Sequence, residues 1–285
     1  MNDDEDMPRR LDKWLRDATR WSRSAVAQAI EAGRVKVDVE DETAAVAPEQ
    51  LVFAGDRVLV DDTRVSPRGG HTTVLFHKPS GVTTTTADPD RHEDLSALIM
   101  RLPVGCQPVG RLDRLTTGAL LLSTDGDLAN ALLKPTNHCP KRYRLIVERL
   151  AGNDPRLTHM RSGVETSIGE LTVHRIVVVA SSATTTTLSA TLHGGKNRQL
   201  RRMCYAAGLR LHALHREAIG PTSLGGLPLG AWRSLASDEV EALWQGVGGQ
   251  AYIRARQRGA LLRRAREARE RGHPLARLEA WLGRH

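Results

Sequence analysis

Short apolar or alternating stretches between Thr73 and Leu235 constrain the fold of this chain more than any other feature. Their lengths are typical of β-strands, and turn signals such as Asp125-Gly126 and Gly194-Gly195 separate them. The stretches are residues 73–77, 119–124, 143–148, 171–179, 184–192 and 209–215. Two stretches with helical periodicity, 127–133 and 197–207, lie between them. The pattern predicts a mixed α+β domain built on a largely antiparallel sheet.

A different pattern precedes this region. Four apolar residues recur there at helical spacing: Leu11, Trp14, Leu15 and Ala18. Ser22 is a candidate N-cap for a second helix over residues 25–32, which Gly33 would end. Valines alternate with charged residues over 35–39, and an apolar-rich run at 57–60 follows a turn, so both predict short strands. Residues 1–62 are therefore expected to form a small α/β domain.

The remaining domain boundaries follow from composition. Residues 63–71 contain one proline and two glycines without apolar periodicity, which predicts a linker. The main domain is then expected over residues 72–250. Residues 251–285 are rich in Arg, Ala, Leu and Glu, which predicts a basic C-terminal extension that is helical or disordered.

The net charge of +8 is unevenly distributed. Residues 8–36 carry eight Lys/Arg against three Asp/Glu, and residues 251–285 carry ten against three. Basic segments at both ends predict a polyanionic partner. Six cations of the first helix and the turn after it are the candidate contacts: Arg9, Arg10, Lys13, Arg16, Arg20 and Arg23. The alternative is a solvated basic helix pair with no partner.

Several classes of protein are disfavoured. No apolar run approaches the roughly 20 residues of a membrane-spanning helix. The acidic N-terminus lacks the basic and apolar regions of a secretory signal. The three cysteines are odd in number and form no CxxC pair, which argues against a disulfide framework or a zinc ribbon. We expect a cytoplasmic protein.

One loop carries the clearest chemical signal, Gly110-Arg111-Leu112-Asp113-Arg114-Leu115-Thr116-Thr117-Gly118. It places the carboxylate of Asp113 between arginines and just before an apolar strand. Adjacent positive charge favours the ionised form, and an ionised carboxylate on a rigid loop can act as a nucleophile or a base. From these residues alone, a structural aspartate in an arginine-paired loop is the competing interpretation.

This loop resembles the "GRLDxxTxGLLLLTxDG" loop of the pseudouridine synthases, in the branch of the small-subunit and large-subunit rRNA enzymes. Four further stretches resemble motifs of that branch, in the same order: FHKPSGVTTTTADP at 76–89, KRYRLIV at 141–147, GGKNRQLRRM at 194–203 and LPLGAWRSLASDEVEAL at 227–243. Residues 9–61 resemble an S4-type RNA-binding domain, so the resemblance spans residues 9–243. The chain departs from the pattern at Arg114-Leu115 and at Ala119, which puts substrate choice in doubt more than activity.

The resemblance implies a small S4-like α/β domain followed by a synthase domain that converts one uridine of ribosomal RNA to pseudouridine. Neither a metal nor another cofactor is implied, and the target base must leave its stack. By motif match, Asp113 is the essential carboxylate, Tyr143 stacks on the flipped base and Arg198 pairs with Asp113. The implied substrate contacts are Arg111, Lys141, Leu200, Arg201 and Arg202. A monomer that acts on ribosomal RNA or a pre-ribosomal particle, away from membranes, is expected.

Each of these residues also has a structural interpretation. Tyr143 on a β-rich run is commonly a core aromatic, and Leu200 with Met203 can be plain core. The arginines after Gly195 can form a solvated helix face, although residues 193–216 contain six Lys/Arg and no Asp/Glu. A metal site at His212 and His215 is disfavoured, because a strand places residues three apart on opposite faces.

Rival functions of other classes remain. A non-catalytic rRNA-binding assembly factor on the same fold is the principal alternative, and intact Asp113, Tyr143 and Arg198 argue against it. A carboxylate glycosidase usually needs a second carboxylate near the first, and the nearest candidates lie beyond the strand. An S4-bearing aminoacyl-tRNA synthetase is excluded in practice, since the sequence has no HIGH-like or KMSKS-like segment.

Overall fold

The computed structural model describes residues 8–19, 21–39, 42–44, 46–53, 56–66, 71–85, 93–103, 105–151, 153–249 and 278. Arg20 and nearly all of the C-terminal extension predicted over 251–285 lie outside these residues. The chain separates into two compact units with a division between His71 and Thr72. No helix in the described ranges is long and apolar enough to cross a membrane.

The first unit combines two helices with short strands. Its elements are β1 (Arg9–Arg10), α1 (Leu11–Thr19), α2 (Arg23–Glu31), β2 (Val35–Val39), β3 (Glu42–Ala44), β4 (Leu51–Val52), β5 (Arg57–Val60) and β6 (Thr63–Val65). Strands β3, β2, β5 and β6 form an antiparallel sheet in that order, and β1 pairs with β4. Leu11, Leu15 and Val26 of the helices pack on Val37 and Val58 of the sheet. The α/β arrangement expected for this segment is confirmed.

The helix signals of the first unit hold at the level of single residues. Ser22 caps α2, its hydroxyl accepting a hydrogen bond of 3.2 Å from the Ala25 amide. The helix begins at Arg23, two residues before the predicted start, because a cap at Ser22 places the first turn immediately after it. Gly33 follows the helix with a left-handed φ of +69°, as an ending glycine should.

The linker predicted over 63–71 is wrong at its start. Residues Thr63–Val65 form β6, which pairs with β5. Asp61 and Asp62, both with positive φ (50° and 60°), make the two-residue turn between these strands. Such a turn requires left-handed backbone at both positions and is usually marked by glycine. An Asp-Asp pair gives a weak signal, so the hairpin was not predicted.

The second unit is built on a nine-stranded sheet. Its strands and helices are β7 (Thr73–Lys78), α3 (Ser96–Ile99), β8 (Gln107–Val109), β9 (Thr117–Ser123), α4 (Gly126–Leu133), β10 (Lys141–Glu148), α5 (Pro155–Ser162), β11 (Val164–Thr166), β12 (Gly169–Leu171), β13 (Arg175–Ser181), β14 (Thr185–Leu192), α6 (Gln199–Ala206), β15 (Leu211–Ile219), β16 (Thr222–Ser223), β17 (Trp232–Ser234) and α7 (Ser237–Gln245). The principal order is β13-β14-β10-β15-β9-β7-β17, with β8 added to β9 and β16 to β15.

The predicted mixed α+β domain with a largely antiparallel sheet is confirmed. The pair β15/β9 is parallel, and the other pairs of this sheet are antiparallel. The stretch 171–179 is not one strand. It contains the end of β12, which pairs with β11, and the start of β13, which pairs with β14. An apolar run alone does not show where the chain leaves one partner for another.

Helices cover both faces of the sheet. Along β9, Leu120 and Leu122 belong to one buried cluster and Ala119 and Leu121 to the other, as the two-residue period of a strand requires. Residues of α5 and α6 complete the first cluster. Residues of α4 and α7 complete the second. The loop before β9 therefore rests on a strand that is buried on both sides.

Gly118 is required where β9 passes β15. A Cβ atom there would lie 2.2 Å from the Arg216 carbonyl oxygen, and φ is +118°. We expect Gly118→Ala to lower the free energy of unfolding by about 2–5 kcal/mol, through strain and overpacking together. Urea denaturation measures the loss. Gly226→Ala, where a Cβ would meet no atom of the described residues within 4 Å, is the control and should change stability little. Equal stability of the two variants would contradict this packing.

Candidate active site

Asp113 lies in the loop between β8 and β9. The Thr116 amide donates to the Asp113 carbonyl oxygen at 2.9 Å, which closes a tight turn around the carboxylate. Leu112, directly before it, is buried in the core. The Asp113 side chain keeps 24% of its surface exposed. The carboxylate is thus anchored from below by an apolar neighbour while one side remains reachable.

Arg201, from the first turn of α6, holds both the carboxylate and its loop. Its Nε lies 3.3 Å from Oδ2 of Asp113. Its Nη2 donates to the Leu115 carbonyl oxygen and to Oγ1 of Thr116, each at 3.0 Å. Burial lowers the pKa of the guanidinium, and the attraction of Asp113 opposes that shift. Since an arginine stays protonated in proteins, the two groups form an ion pair.

The predicted pairing of Arg198 with Asp113 is wrong. Arg198 precedes α6 with a left-handed φ of 52°, and its side chain is exposed. Arg201 makes the ion pair instead, because it is placed within the helix on the side that meets the loop. Arg202 points elsewhere: its Nη1 donates to Oγ of Ser167 at 2.6 Å and its Nε to the Asn197 carbonyl oxygen at 3.1 Å. Sequence spacing located this group of arginines without showing which one faces the carboxylate.

Two further side chains, missed by sequence reasoning, brace the same loop from β7 and the segment after it. Buried Thr84 donates through Oγ1 to the Leu112 carbonyl oxygen at 2.8 Å and accepts from the Leu112 amide at 3.2 Å. Lys78, which is fully buried, donates through Nζ to the carbonyl oxygens of Pro79 (2.8 Å) and Arg114 (3.2 Å). A charged residue ending an apolar strand was the available signal for Lys78. No sequence signal distinguishes Thr84 from the other threonines of the run 83–86.

The floor of the site is positively charged. Burial lowers the pKa of Lys78 to about 8, against the attraction of Asp113 and with the help of Arg216. Arg216 is 3% exposed and donates through Nε to the Ala119 carbonyl oxygen at 2.7 Å. Burial also lowers the pKa of Lys141, at the start of β10. Lys78 interacts electrostatically with Asp113, and buried positive charge at this place attracts an anionic ligand.

Tyr143 and Leu200 belong to the apolar cluster that contains Leu112. Tyr143 lies opposite Arg216 across β10 and β15, and Arg216 lies opposite Gly118 at the start of β9. The register therefore brings Tyr143 within two strands of the Asp113 loop. The exposed fractions are 8% for Tyr143 and 3% for Leu200, so both side chains are buried in the core, as their structural interpretation expects. Any contact with a ligand uses the small part that remains open.

The other predicted contacts are dispersed. Arg111 is exposed in the Asp113 loop, and Lys141 contacts the Cys139 carbonyl oxygen at 3.4 Å. In the first unit, Arg9 pairs with Asp17 and Arg10 with Asp12, so part of the basic surface is balanced internally. Lys13 and Arg16 are partly exposed on α1, and Arg23 is exposed at the start of α2.

The histidine pair considered as metal ligands is separated. His212 is exposed, while Nδ1 of His215 lies 2.8 Å from Oγ1 of Thr117. The described part of the chain has no cluster of three or more His, Cys, Asp or Glu that could hold a metal ion.

Comparison with known proteins gives consistent results. A family model for RNA pseudouridylate synthase matches residues 72–206, and an S4 domain model matches residues 9–40. An uncharacterized RNA pseudouridine synthase of Mycobacterium bovis is 36% identical over 249 residues, which cover 84% of this chain and 94% of the relative. The dual-specificity RNA pseudouridine synthase RluF of Salmonella typhi is 33% identical over 248 residues, covering 86% and 82%. A solved pseudouridylate synthase shares the fold, with a TM-score of 0.56, 23% identity and coverage of 82% and 99%.

Lys78 makes the free energy of unfolding of the protein depend on pH. Its pKa in the folded chain, about 8, is below the ordinary 10.5, so the unfolded chain binds more protons between these values. This lysine therefore adds stability as the pH rises through that window. Lys78→Met removes the contribution, so we expect the free energy of unfolding of the wild type to gain on that of the variant between about pH 7.5 and pH 10. Urea denaturation across this range measures the difference. The exposed Lys196→Met is the control, and a Lys78→Met difference that is constant with pH would contradict the argument.

Proposed function

This chain belongs to the RNA pseudouridine synthase family, and from that premise we propose that it isomerises a specific uridine of ribosomal RNA with Asp113 as the catalytic carboxylate. The observation that carries the proposal is the placement of Asp113. The carboxylate is partly exposed and paired with Arg201, in a loop that Thr84 and Lys78 brace through Leu112 and Arg114. Such preorganisation holds a reacting group in place without cost at the moment of reaction.

The reaction breaks the N1–C1′ bond of the uridine, turns the base and joins C5 to C1′. The proton on C5 is lost and N1 gains one, so the conversion is an isomerisation and consumes no co-reactant. Asp113 either attacks C1′ or removes the 2′ proton, and both routes need the ionised carboxylate. Arg201 is proposed to fix the orientation of the carboxylate through contacts that also hold the loop.

The target base has to leave the RNA stack before it can turn. Tyr143 is proposed to contact the flipped base from the apolar cluster beneath the site, with its phenol assisting proton removal from C5. Leu200, from the same apolar cluster, is proposed to form an apolar wall of the site. Arg111 and Lys141 are proposed to contact the phosphates or the loop, together with Arg202. The buried cations below Asp113 favour the approach of the anionic backbone.

Ribosomal RNA is proposed as the substrate because the S4 domain precedes the synthase domain. The cations of α1 and α2 that reach solvent, among them the partly exposed Arg16 and the exposed Arg23, are proposed to bind phosphates of structured RNA with little reading of sequence. We further propose a cytoplasmic monomer that divides into an S4 domain, a synthase domain up to residue 250 and a basic extension. The synthase family match favours this enzyme over a non-catalytic assembly factor.

Replacement of the carboxylate tests the function. We expect Asp113→Asn to slow pseudouridine formation by about 10²–10⁴-fold or more while leaving RNA affinity within a few-fold, because the amide cannot act as nucleophile or base. Carbodiimide mapping of ribosomal RNA from cells without the gene, complemented by wild type or variant, measures both activity and target. The exposed Asp238→Asn is the matched control. Retained turnover in Asp113→Asn would overturn the assignment.

A further inference from the structure

We propose that Tyr205 is a stacking platform for a nucleotide that flanks the target uridine, and that the groove beside it binds the adjoining RNA strand. The inference rests on the proposed function and extends it to substrate selection. It assigns a binding site outside the carboxylate loop.

Tyr205 has no packing role within its unit. Its exposed fraction is 89%, the highest among the exposed large apolar side chains of the described residues. The residues of α6 that face the core are Leu200, Met203 and Cys204. An aromatic ring left in water on an ordered helix is typical of a binding surface, since its large flat face is available for a partner.

The groove beside Tyr205 is the right size and charge for an anionic ligand of nucleotide dimensions. Its cavity measures about 720 Å³. Among the described residues that line it, four are arginines and one is an acid: Arg198, Arg201, Arg202, Arg210 and Glu165. Arginines bind phosphate oxygens, and a base can stack on a neighbouring aromatic face. Both recognition chemistries of a single-stranded nucleic acid are therefore present in one groove.

Arg201 connects this groove to the site of reaction. Arg201, whose guanidinium pairs with Asp113, is also one of the residues that line the cavity. Tyr205 follows Arg201 by four residues, so the two side chains are neighbours along one face of α6. Their separation along the helix axis is about 6 Å, since each residue rises about 1.5 Å. Successive stacked nucleotides of one strand are about 3.4 Å apart, so Tyr205 lies within reach of the first or second neighbour of the target.

The wall of the groove is fixed before a ligand binds. The Arg202 guanidinium donates to Oγ of Ser167, at the turn between β11 and β12, and to the Asn197 carbonyl oxygen. Arg198 and Arg210 are exposed at the rim. A rigid wall with reachable cations at its rim suits a backbone that is followed by its phosphates, while Tyr205 accepts whichever base stacks on it.

An RNA occupant is favoured over a protein partner by two features on the same helix. Arginines outnumber acids four to one among the described residues that line the groove, and one of these arginines, Arg201, also pairs with Asp113. A protein segment would have no reason to extend toward the reacting carboxylate. If the groove binds a protein instead of RNA, the Tyr205 variants will leave the KM for RNA unchanged and no RNA crosslink will form at Tyr205.

The test measures initial rates of pseudouridine formation against the concentration of transcribed ribosomal RNA. The variants are Tyr205→Ala and Tyr205→Phe, with Met100→Ala as a control at another highly exposed apolar side chain (86%). Loss of one stacked base predicts a rise in KM of about tenfold for Tyr205→Ala. Its kcat should stay within about twofold, because the ring does not touch the reacting atoms. Tyr205→Phe keeps the face and should restore the KM, whereas Met100→Ala should match the wild type.

An unchanged KM for Tyr205→Ala, or a phenylalanine variant as weak as the alanine variant, would overturn the stacking role. A second measurement separates this inference from the proposed function. Separate transcripts of ribosomal RNA that carry 5-iodouridine, 5-iodocytidine, 8-azidoadenosine or 6-thioguanosine, so that every base is covered, are photo-crosslinked to the full chain, and the attached peptide is identified by mass spectrometry. If the wild type forms no pseudouridine, the proposed function fails, and a crosslink at Tyr205 still supports the groove. Absence of that crosslink overturns the groove even if the enzyme is active.

Discussion

The ion pair between Asp113 and Arg201 is the interaction on which the candidate site depends. It joins the loop before β9 to the first turn of α6, two segments almost ninety positions apart in the sequence. The same guanidinium holds the loop through Leu115 and Thr116. Thr84 and Lys78 hold the same loop through the carbonyl oxygens of Leu112 and Arg114. The stretches 76–89, 110–118 and 194–203 are far apart in the sequence, and the site needs all three because their side chains meet around the carboxylate of Asp113.

The close approach of two strands of the sheet positions the Asp113 loop, but it also buries two cations. Gly118 allows β9 to lie against β15 so closely that Arg216 and Lys78 are enclosed beneath the site. Buried cations are expensive unless carbonyl oxygens or a counter-charge compensate them. Lys78 has two carbonyl partners, while the Nη2 atom of Arg216 has no hydrogen-bond partner among the residues that the structure describes. Burial of these two cations lowers the stability of this region and places positive charge near the carboxylate. Such a loss of stability is common at functional sites.

Much of this architecture follows from the sequence. Periodicity located α1, α2 and most strands of the large sheet, and the loop motif located Asp113. Features that depend on tertiary contact were missed. The hairpin at Asp61 and Asp62 lacks the usual glycine, and the stretch 171–179 changes partners without a break in its apolar pattern. Arg198 and Arg201 are equivalent as residue types, and only the start of α6 decides which one meets the carboxylate. The bracing role of Thr84 depends on a loop that folds back from elsewhere in the chain.

Single-turnover rates at saturating enzyme test the central claim most directly. The comparison is between Arg201→Gln and Arg198→Gln, with pseudouridine formation in ribosomal RNA as the readout. If Arg201 orients Asp113, its replacement slows the conversion by about 10²-fold, the effect expected of a misplaced reacting group. Arg198→Gln should then stay within a few-fold of the wild type, because Arg198 does not pair with the carboxylate. The reverse order of the two variants, or equal rates for both, would contradict the account.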